Sequence, residues 1–461
     1  MNTPIVDFVR AYASGGMRRL HMPGHKGVGP MGFEQYDITE IKGADALYEA
    51  DGIIAGSEKN ASALFGSGST LYSTEGSSQC IRAMLHLAIT QRPADASATI
   101  VAARNVHKAF VYSAALTGFD IEWLWPAGGS SSLCACPVSA AELDAKLASL
   151  PAPPAAVYVT SPDYLGGMQD ICALAGVCHA RGTILIVDNA HGAYLHFCNP
   201  AIHPLDMGAD ICCDSAHKTL PVITGGAYLH ISKNAPGRYA ENAKQAMALF
   251  GSTSPSYLIL CSLDACNAEL SGDYGKSIAS TAAHIEDVSR SLAENGWSCD
   301  HTEPLKLTLH ASDCGMTGFA LAERLRSNGC ECEYADADDV VLMLTPNNTY
   351  ADIEAIPEAI GSPSIPWLPC AKGAGPAGPE GLHPRSPLPV AAGTQVMSVR
   401  EAFFAPHETV CAADSLGRIC AAPTVACPPA IPIAVSGEII TKEAVELFRY
   451  YGVDAVEVVK L

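Results

Sequence analysis

Between about residues 66 and 275, short apolar runs alternate with stretches whose apolar positions recur every three or four residues. The runs Ala98–Ala103, Ala156–Thr160, Thr183–Val187 and Gly226–Ile231 are nearly continuous in apolar residues, the pattern of strands buried on both faces. The segment Cys80–Thr90 carries Cys80, Ile81, Met84, Leu85 and Ala88, which fits a helix packed on a sheet. Such alternation predicts an α/β fold with a mostly parallel sheet and crossover helices. Residues 1–65 read as an irregular N-terminal arm, 66–275 as the large domain and 276–461 as a smaller C-terminal α/β domain. In the last of these, Leu305–Leu309 and Val340–Leu344 read as strands, with Thr317–Ser327 as an amphipathic helix between them. A Pro/Gly-rich linker covers 361–393, and a final helix lies near Lys442–Tyr451. No internal repeat is evident.

Composition narrows the function classes. The chain has 461 residues, 48% apolar and 16% charged, which is the balance of a large folded enzyme. Its formal net charge of −20 argues against a nucleic-acid surface. Of the 18 cysteines, several fall in apolar runs, and no paired C-x-x-C knuckles occur, so zinc is not expected. In such runs cysteine behaves as a small hydrophobe, and this usage points to a reducing, cytoplasmic setting. No apolar run is long enough to span a bilayer and no secretory core opens the chain.

Four features carry candidate chemistry. Glu75-Gly76-Ser77-Ser78-Gln79 is a small polar turn opening a helix; its free N–H groups suit a phosphate, though an ordinary N-cap by Ser77 reads the same way. Arg104-Asn105-Val106-His107-Lys108 follows a strand and offers His107 as a ring to stack on a flat cofactor. Thr183–Val187 runs into Asp188-Asn189-Ala190-His191-Gly192, which sets an acid at the ligand-binding edge of a parallel sheet. Ala209-Asp210-Ile211-Cys212-Cys213-Asp214 runs into a loop of Ser215-Ala216-His217-Lys218-Thr219. Lys218 can form a Schiff base, Ser215 can donate to a phosphate and His217 can move a proton. Lys218 follows Asp188 by thirty positions. Phosphate turn, stacking His, Asp and then Lys is the order expected for pyridoxal 5'-phosphate, whose pyridine nitrogen needs an acid to stay protonated.

The chain resembles the Orn/Lys/Arg decarboxylase family of fold-type-I pyridoxal-phosphate enzymes, in the short form without a receiver-like N-terminal domain. The resemblance rests on His21-Met22-Pro23-Gly24-His25-Lys26-Gly27, on Asp37-Ile38-Thr39-Glu40 with Asp45, Leu47 and Gly52, and on the 104–108 segment. Thr160-Ser161-Pro162, Asp188 with His191-Gly192-Ala193, and Ser215–Leu220 continue it. Ser252-Thr253-Ser254-Pro255-Ser256-Tyr257 and Arg400-Glu401-Ala402-Phe403-Phe404 complete it. The resemblance implies Lys218 as the Schiff-base lysine, Asp188 as partner of the ring nitrogen, His107 stacked on the ring and His191 beside the cofactor. Ser77, Ser78 and Ser215 would hold the phosphate, Thr253 would reach the phosphate of a neighbouring subunit, and His217 or Lys218 would return the proton. It also implies at least a homodimer and a small-molecule amino-acid substrate.

Several positions depart from the family pattern. Glu75 stands where relatives carry Asn, Asn189 where they carry Glu, and Thr224-Gly225 where they carry Thr-Gln. A carboxylate is missing at Ala422 and a tyrosine at Cys427. The expected reaction is α-decarboxylation of arginine, lysine or ornithine, giving agmatine or a diamine. A lyase, an aminotransferase or an inactive family member are the alternatives. Glu40, Asp45 and Glu75 are the acids that could replace the missing carboxylate against a cationic side chain.

Overall fold

The computed structural model describes residues 1–126, 128–130, 132–365, 392–425 and 429–460; most of the expected 361–393 linker, and Cys427, lie outside them. The chain divides into two compact units. The first comprises Met1–Val101, Leu143–Ser161 and Asp170–Ser277, and the second Ala102–Glu142, Pro162–Gln169 and Ile278–Leu461.

The arm expected to be irregular contains two helices, α1 (Pro4–Ser14) and α2 (Ile53–Leu64). Their caps come from a distance, which is why local sequence hid them. The Asp264 carboxylate accepts from the N–H groups of Ile5 and Val6 at 2.9 and 3.0 Å. The Asp45 carboxylate accepts from Gly52, Ile54 and Ala55 at the start of α2. Each acid satisfies helix-end donors that would otherwise lack partners.

The chain continues through β1 (Ser69–Ser73), α3 (Ser77–Thr90), β2 (Ser97–Ala103), α4 (Lys108–Thr117), β3 (Asp120–Leu124), α5 (Ala140–Ser149), β4 (Pro154–Thr160), α6 (Ile171–Ala180) and β5 (Ile184–Asp188). Then follow β6 (Ile211–Asp214), α7 (Ala216–Thr219), β7 (Ala227–Ile231), α8 (Gly237–Leu249), α9 (Tyr257–Leu270) and α10 (Tyr274–Glu294). The seven strands form one sheet in the order β1-β7-β6-β5-β4-β2-β3. β4, β5 and β6 run parallel, while β7 is antiparallel to both β6 and β1. Every residue of β5 is buried, as its unbroken apolar run implied. The register pairs Thr160 with Asp188 and Asp188 with Cys213, so Tyr158, Asp188 and Cys213 share one face.

In the second unit, β8 (Cys299–Asp300), β9 (Lys306–His310), β10 (Tyr334–Ala335) and β11 (Asp339–Met343) form an antiparallel sheet in the order β10-β11-β9-β8. Helix α11 (Gly318–Ser327) begins at Thr317, whose hydroxyl accepts from the Ala320 N–H. Both expected strands and this helix are present within a residue or two. The closing helix, Lys442–Tyr450, packs Ala444, Leu447 and Phe448 into a cluster with Cys420, Ile433, Ile440, Val456 and Val458.

Candidate active site

Asp188 ends β5 at the C-terminal edge of the parallel strands and is only 2% exposed. Its Oδ1 accepts from the Ala190 N–H at 3.2 Å and lies 3.7 Å from Cys213 Sγ; its Oδ2 accepts from the Tyr158 hydroxyl at 3.0 Å. Burial pushes the Asp188 carboxyl up from its ordinary range, and the nearby Lys218 and the Tyr158 hydrogen bond pull it back. Lys218 lies on α7, the single turn that follows β6, and its Nζ is 3.0 Å from His191 Nε2.

The turn opening α3 supplies the other end of the site. Helix α3 starts at Ser77, and its N-cap is Gly76 at φ +71°, with no side-chain cap. Ser77 is therefore not the cap; its Oγ accepts from Ser215 Oγ at 2.7 Å. A helix N-terminus without a capping side chain, flanked by two converging hydroxyls, has the donor set that a phosphate requires. Ser78 sits in the same first turn, partly exposed. His217 donates from Nδ1 to the Gly226 carbonyl at 2.9 Å, and its ring faces Gly76, where an added Cβ would lie 3.9 Å from it. Lys218 Nζ meets the imidazole of His191.

His107 belongs to the second unit. It caps α4, its Nδ1 accepting from the Ala109 N–H at 3.2 Å, which leaves the proton on Nε2. Arg104, in the same segment, is buried under Trp123 and Trp125, donates to the carbonyls of Pro432 and Ile433 and pairs with Glu438 at 3.6 Å. Thr253 is exposed in the loop between α8 and α9.

Three departures from the family pattern acquire physical reasons. The Asn189 amide donates to Asp214 Oδ1 at 2.7 Å. Asp214 is completely buried and also accepts from His203 Nε2 at 3.0 Å and His230 Nε2 at 3.1 Å. These donors hold its carboxyl far below the usual range against the cost of burial; a glutamate at 189 would face it with like charge. Gly225 has φ +101°, and a Cβ there would come within 2.9 Å of the Thr74 carbonyl oxygen. Only glycine fits that approach, and the Gly225 carbonyl accepts from the Gly76 N–H at 2.7 Å. Glu75 accepts from the Ser252 N–H, tying the turn to the Ser252–Tyr257 segment.

The His203–Asp214–His230 cluster has the composition of a metal site, and its ligand atoms lie within 4.8 Å of one another. The tautomers oppose that reading. His203 Nδ1 accepts from the Leu205 N–H, so Nε2 carries the proton it gives to Asp214. It acts as a charge-holding network under the site. Neither this cluster nor Tyr158 was among the expected site residues. A tyrosine in an otherwise aliphatic strand was the available signal, since a buried phenol needs a partner.

The chain matches the Orn/Lys/Arg decarboxylase major domain over residues 3–308. It is 29% identical to the uncharacterized protein YaaO of Bacillus subtilis (strain 168), over 97% of this chain and 93% of that one. It is 28% identical to an arginine decarboxylase of Halalkalibacterium halodurans, with the same coverage of both chains. Among solved structures it resembles the Francisella novicida lysine decarboxylase, with TM-score 0.78 and 17% identity over 99% of this chain and 81% of that one. The Escherichia coli constitutive lysine decarboxylase matches with TM-score 0.75 and 16% identity over 100% and 82%. These likenesses establish the fold-type-I architecture, and the match over residues 3–308 identifies the chain as a member of the Orn/Lys/Arg decarboxylase family.

Proposed function

We propose that the protein is a pyridoxal-phosphate-dependent decarboxylase of a cationic amino acid, with arginine first and lysine next. The observation that carries this reading is the joint geometry of the first unit. A buried acid at the strand edge, an amine held by an imidazole, and two hydroxyls at an uncapped helix N-terminus match the three ends of the cofactor. Lys218 would hold it through Nζ, Asp188 would face its ring nitrogen, and Ser77, Ser78 and Ser215 would receive its phosphate. When bound, pyridoxal phosphate supplies an electron sink for the carbon that loses CO₂.

The chain's own groups perform the remaining tasks. His191 accepts from Lys218 Nζ and orients it. In this reading the Lys218 ammonium, tethered beside the substrate, returns a proton to the substrate carbon and is left as the neutral amine; His217 lies at the phosphate turn and steadies that end. His107 would stack on the ring, its Nδ1 occupied by the α4 cap. Curated relatives named arginine decarboxylase favour arginine as substrate.

Of the acids considered for the substrate's distal cation, Asp45 is spent on capping α2 and Glu75 on Ser252. Glu40 is exposed and free of such backbone duty, with Thr39 Oγ1 donating to it at 3.2 Å. Glu40 is therefore the preferred reader of the cation. The exposed Thr253 supports a site completed across a homodimer or a larger homo-oligomer. The sixteen free cysteines among the described residues suit a reducing, cytoplasmic compartment, and among those residues no helix is long and apolar enough to cross a membrane.

The test is product analysis with arginine, lysine and ornithine beside neutral citrulline and norleucine. Release of CO₂ with agmatine or a diamine from the basic compounds alone is expected. Equal turnover of the neutral compounds would refute the cationic substrate class, and a keto-acid product would refute decarboxylation.

A further inference from the structure

Strand β4 reads Pro-Ala-Ala-Val-Tyr-Val-Thr, and Tyr158 is its one phenol, completely buried. A hydroxyl in such a place costs stability unless it is hydrogen-bonded. Its partner is Asp188 Oδ2 at 3.0 Å. The register explains the contact: Thr160 lies opposite Asp188, and Tyr158, two residues deeper on the same face, reaches along the sheet to the carboxylate. Asp188 Oδ1 has the Ala190 N–H and the weak Cys213 thiol as partners, so the phenol is the strongest side-chain donor on this carboxylate.

Resting on the assignment of Asp188 to the cofactor's ring nitrogen, we propose that Tyr158 is a positioning residue that keeps Asp188 ionised and the proton on the ring nitrogen. A single proton lies between a pyridine nitrogen and a carboxylate. Burial raises the basicity of Asp188 and draws that proton toward the oxygen. The phenol O–H stabilises the carboxylate form and sends the proton back to nitrogen. With the phenol on Oδ2 and the Ala190 N–H on Oδ1, it also helps to fix the plane of the carboxylate. Removal of the hydroxyl alone should shift this partition about tenfold, the equivalent of one unit in the acidity of Asp188.

The experiment loads the full chain with pyridoxal phosphate labelled with ¹⁵N in the ring and reads the ring-nitrogen resonance. Asp188→Asn should move that resonance to the unprotonated range. Tyr158→Phe should move it part of the way in the same direction and lower kcat about tenfold with KM unchanged. A resonance that moves in Asp188→Asn and stays at the wild-type position in Tyr158→Phe overturns the role of Tyr158 and leaves Asp188 in place. A resonance unmoved by Asp188→Asn overturns the assignment of Asp188 itself, and this inference with it. Should Tyr158→Phe yield no soluble protein, 3-fluorotyrosine placed at 158 makes a stronger donor. The ¹³Cγ signal of Asp188 in the cofactor-free chain must then titrate at lower pH than in wild type, and an unmoved midpoint overturns the proposal.

Discussion

Asn189→Asp would change one atom type at the most tightly paired point beneath the site. The Asn189 amide donates to Asp214 Oδ1 at 2.7 Å, and both residues are completely buried. The substitution keeps the shape, removes the donor and sets two carboxylates about 3 Å apart. With both ionised, the repulsion at an effective dielectric of about 20 is about 5 kcal/mol. One carboxyl would take a proton instead, and holding it at pH 7 against an ordinary value near 4 costs about 4 kcal/mol. Either route gives a loss of about 4 kcal/mol at neutral pH. The loss shrinks toward pH 5, where that proton is cheaper by about 3 kcal/mol. The sign of the wild-type dependence is opposite. Asp214 is depressed in the folded state, so its contribution is present above the unfolded carboxyl value and is lost as pH falls through the folded one. Urea unfolding of the cofactor-free chain at pH 5 and pH 7.5 reads the trend of the variant, because the wild-type contribution of Asp214 is constant across that interval and falls only below the unfolded carboxyl value. Asn189→Asp combined with Asp214→Asn restores a donor–acceptor pair and should recover much of the loss, though it gives up the charge facing His203 and His230. A single variant within 1 kcal/mol of wild type at pH 7.5 would refute the reading of Asp214 as a fixed buried anion.

Other outcomes follow from the same geometry. Wild-type protein given pyridoxal phosphate should turn yellow and be trapped by borohydride, while Lys218→Ala should show neither the trapping nor turnover, as followed by visible absorption and mass. Gly225→Ala forces a Cβ to 2.9 Å from the Thr74 carbonyl at a φ of +101°. It should cost about 1–3 kcal/mol of local strain and weaken cofactor affinity, measured by equilibrium titration, because the Gly76 turn rests on the Gly225 carbonyl. Mixing inactive Lys218→Ala chains with an inactive Thr253 variant should restore activity if Thr253 completes the partner's site; no recovery despite verified subunit exchange would refute the shared site.

Much of the candidate site was legible because its parts are local. An apolar strand closing on Asp188, and a second closing on Ser215 and Lys218, are patterns of adjacent residues, and the strand edge they reach follows from parallel pairing. The helix at 80–90 was visible for the same reason, yet its start was not. Whether Ser77 caps the helix or faces Ser215 depends on a residue 138 positions away. The two helices of the N-terminal segment escaped notice because Asp45 and Asp264 cap them from outside, and the antiparallel course of β7 is set by its pairing with β1 and β6 rather than by its own composition.

The sequence by itself determined the fold class, the order of the chemical groups and the family, since each depends on periodicity or on contiguous motifs. Only the tertiary structure decided what each polar group is paired with. Asp45 and Glu75 look like free acids along the chain, and folding commits both to backbone N–H groups. His203 and His230 lie 11 and 16 positions from Asp214, and the β6–β7 pairing brings His230 to Asp214 while the loop after β5 delivers His203. Tyr158 reads as a core residue until the β4–β5 register sets its hydroxyl on Asp188. The reason is common to all of them. Burial makes an unpaired polar atom costly, so partners are chosen by which strands and loops meet in space, a property that no local window of sequence contains.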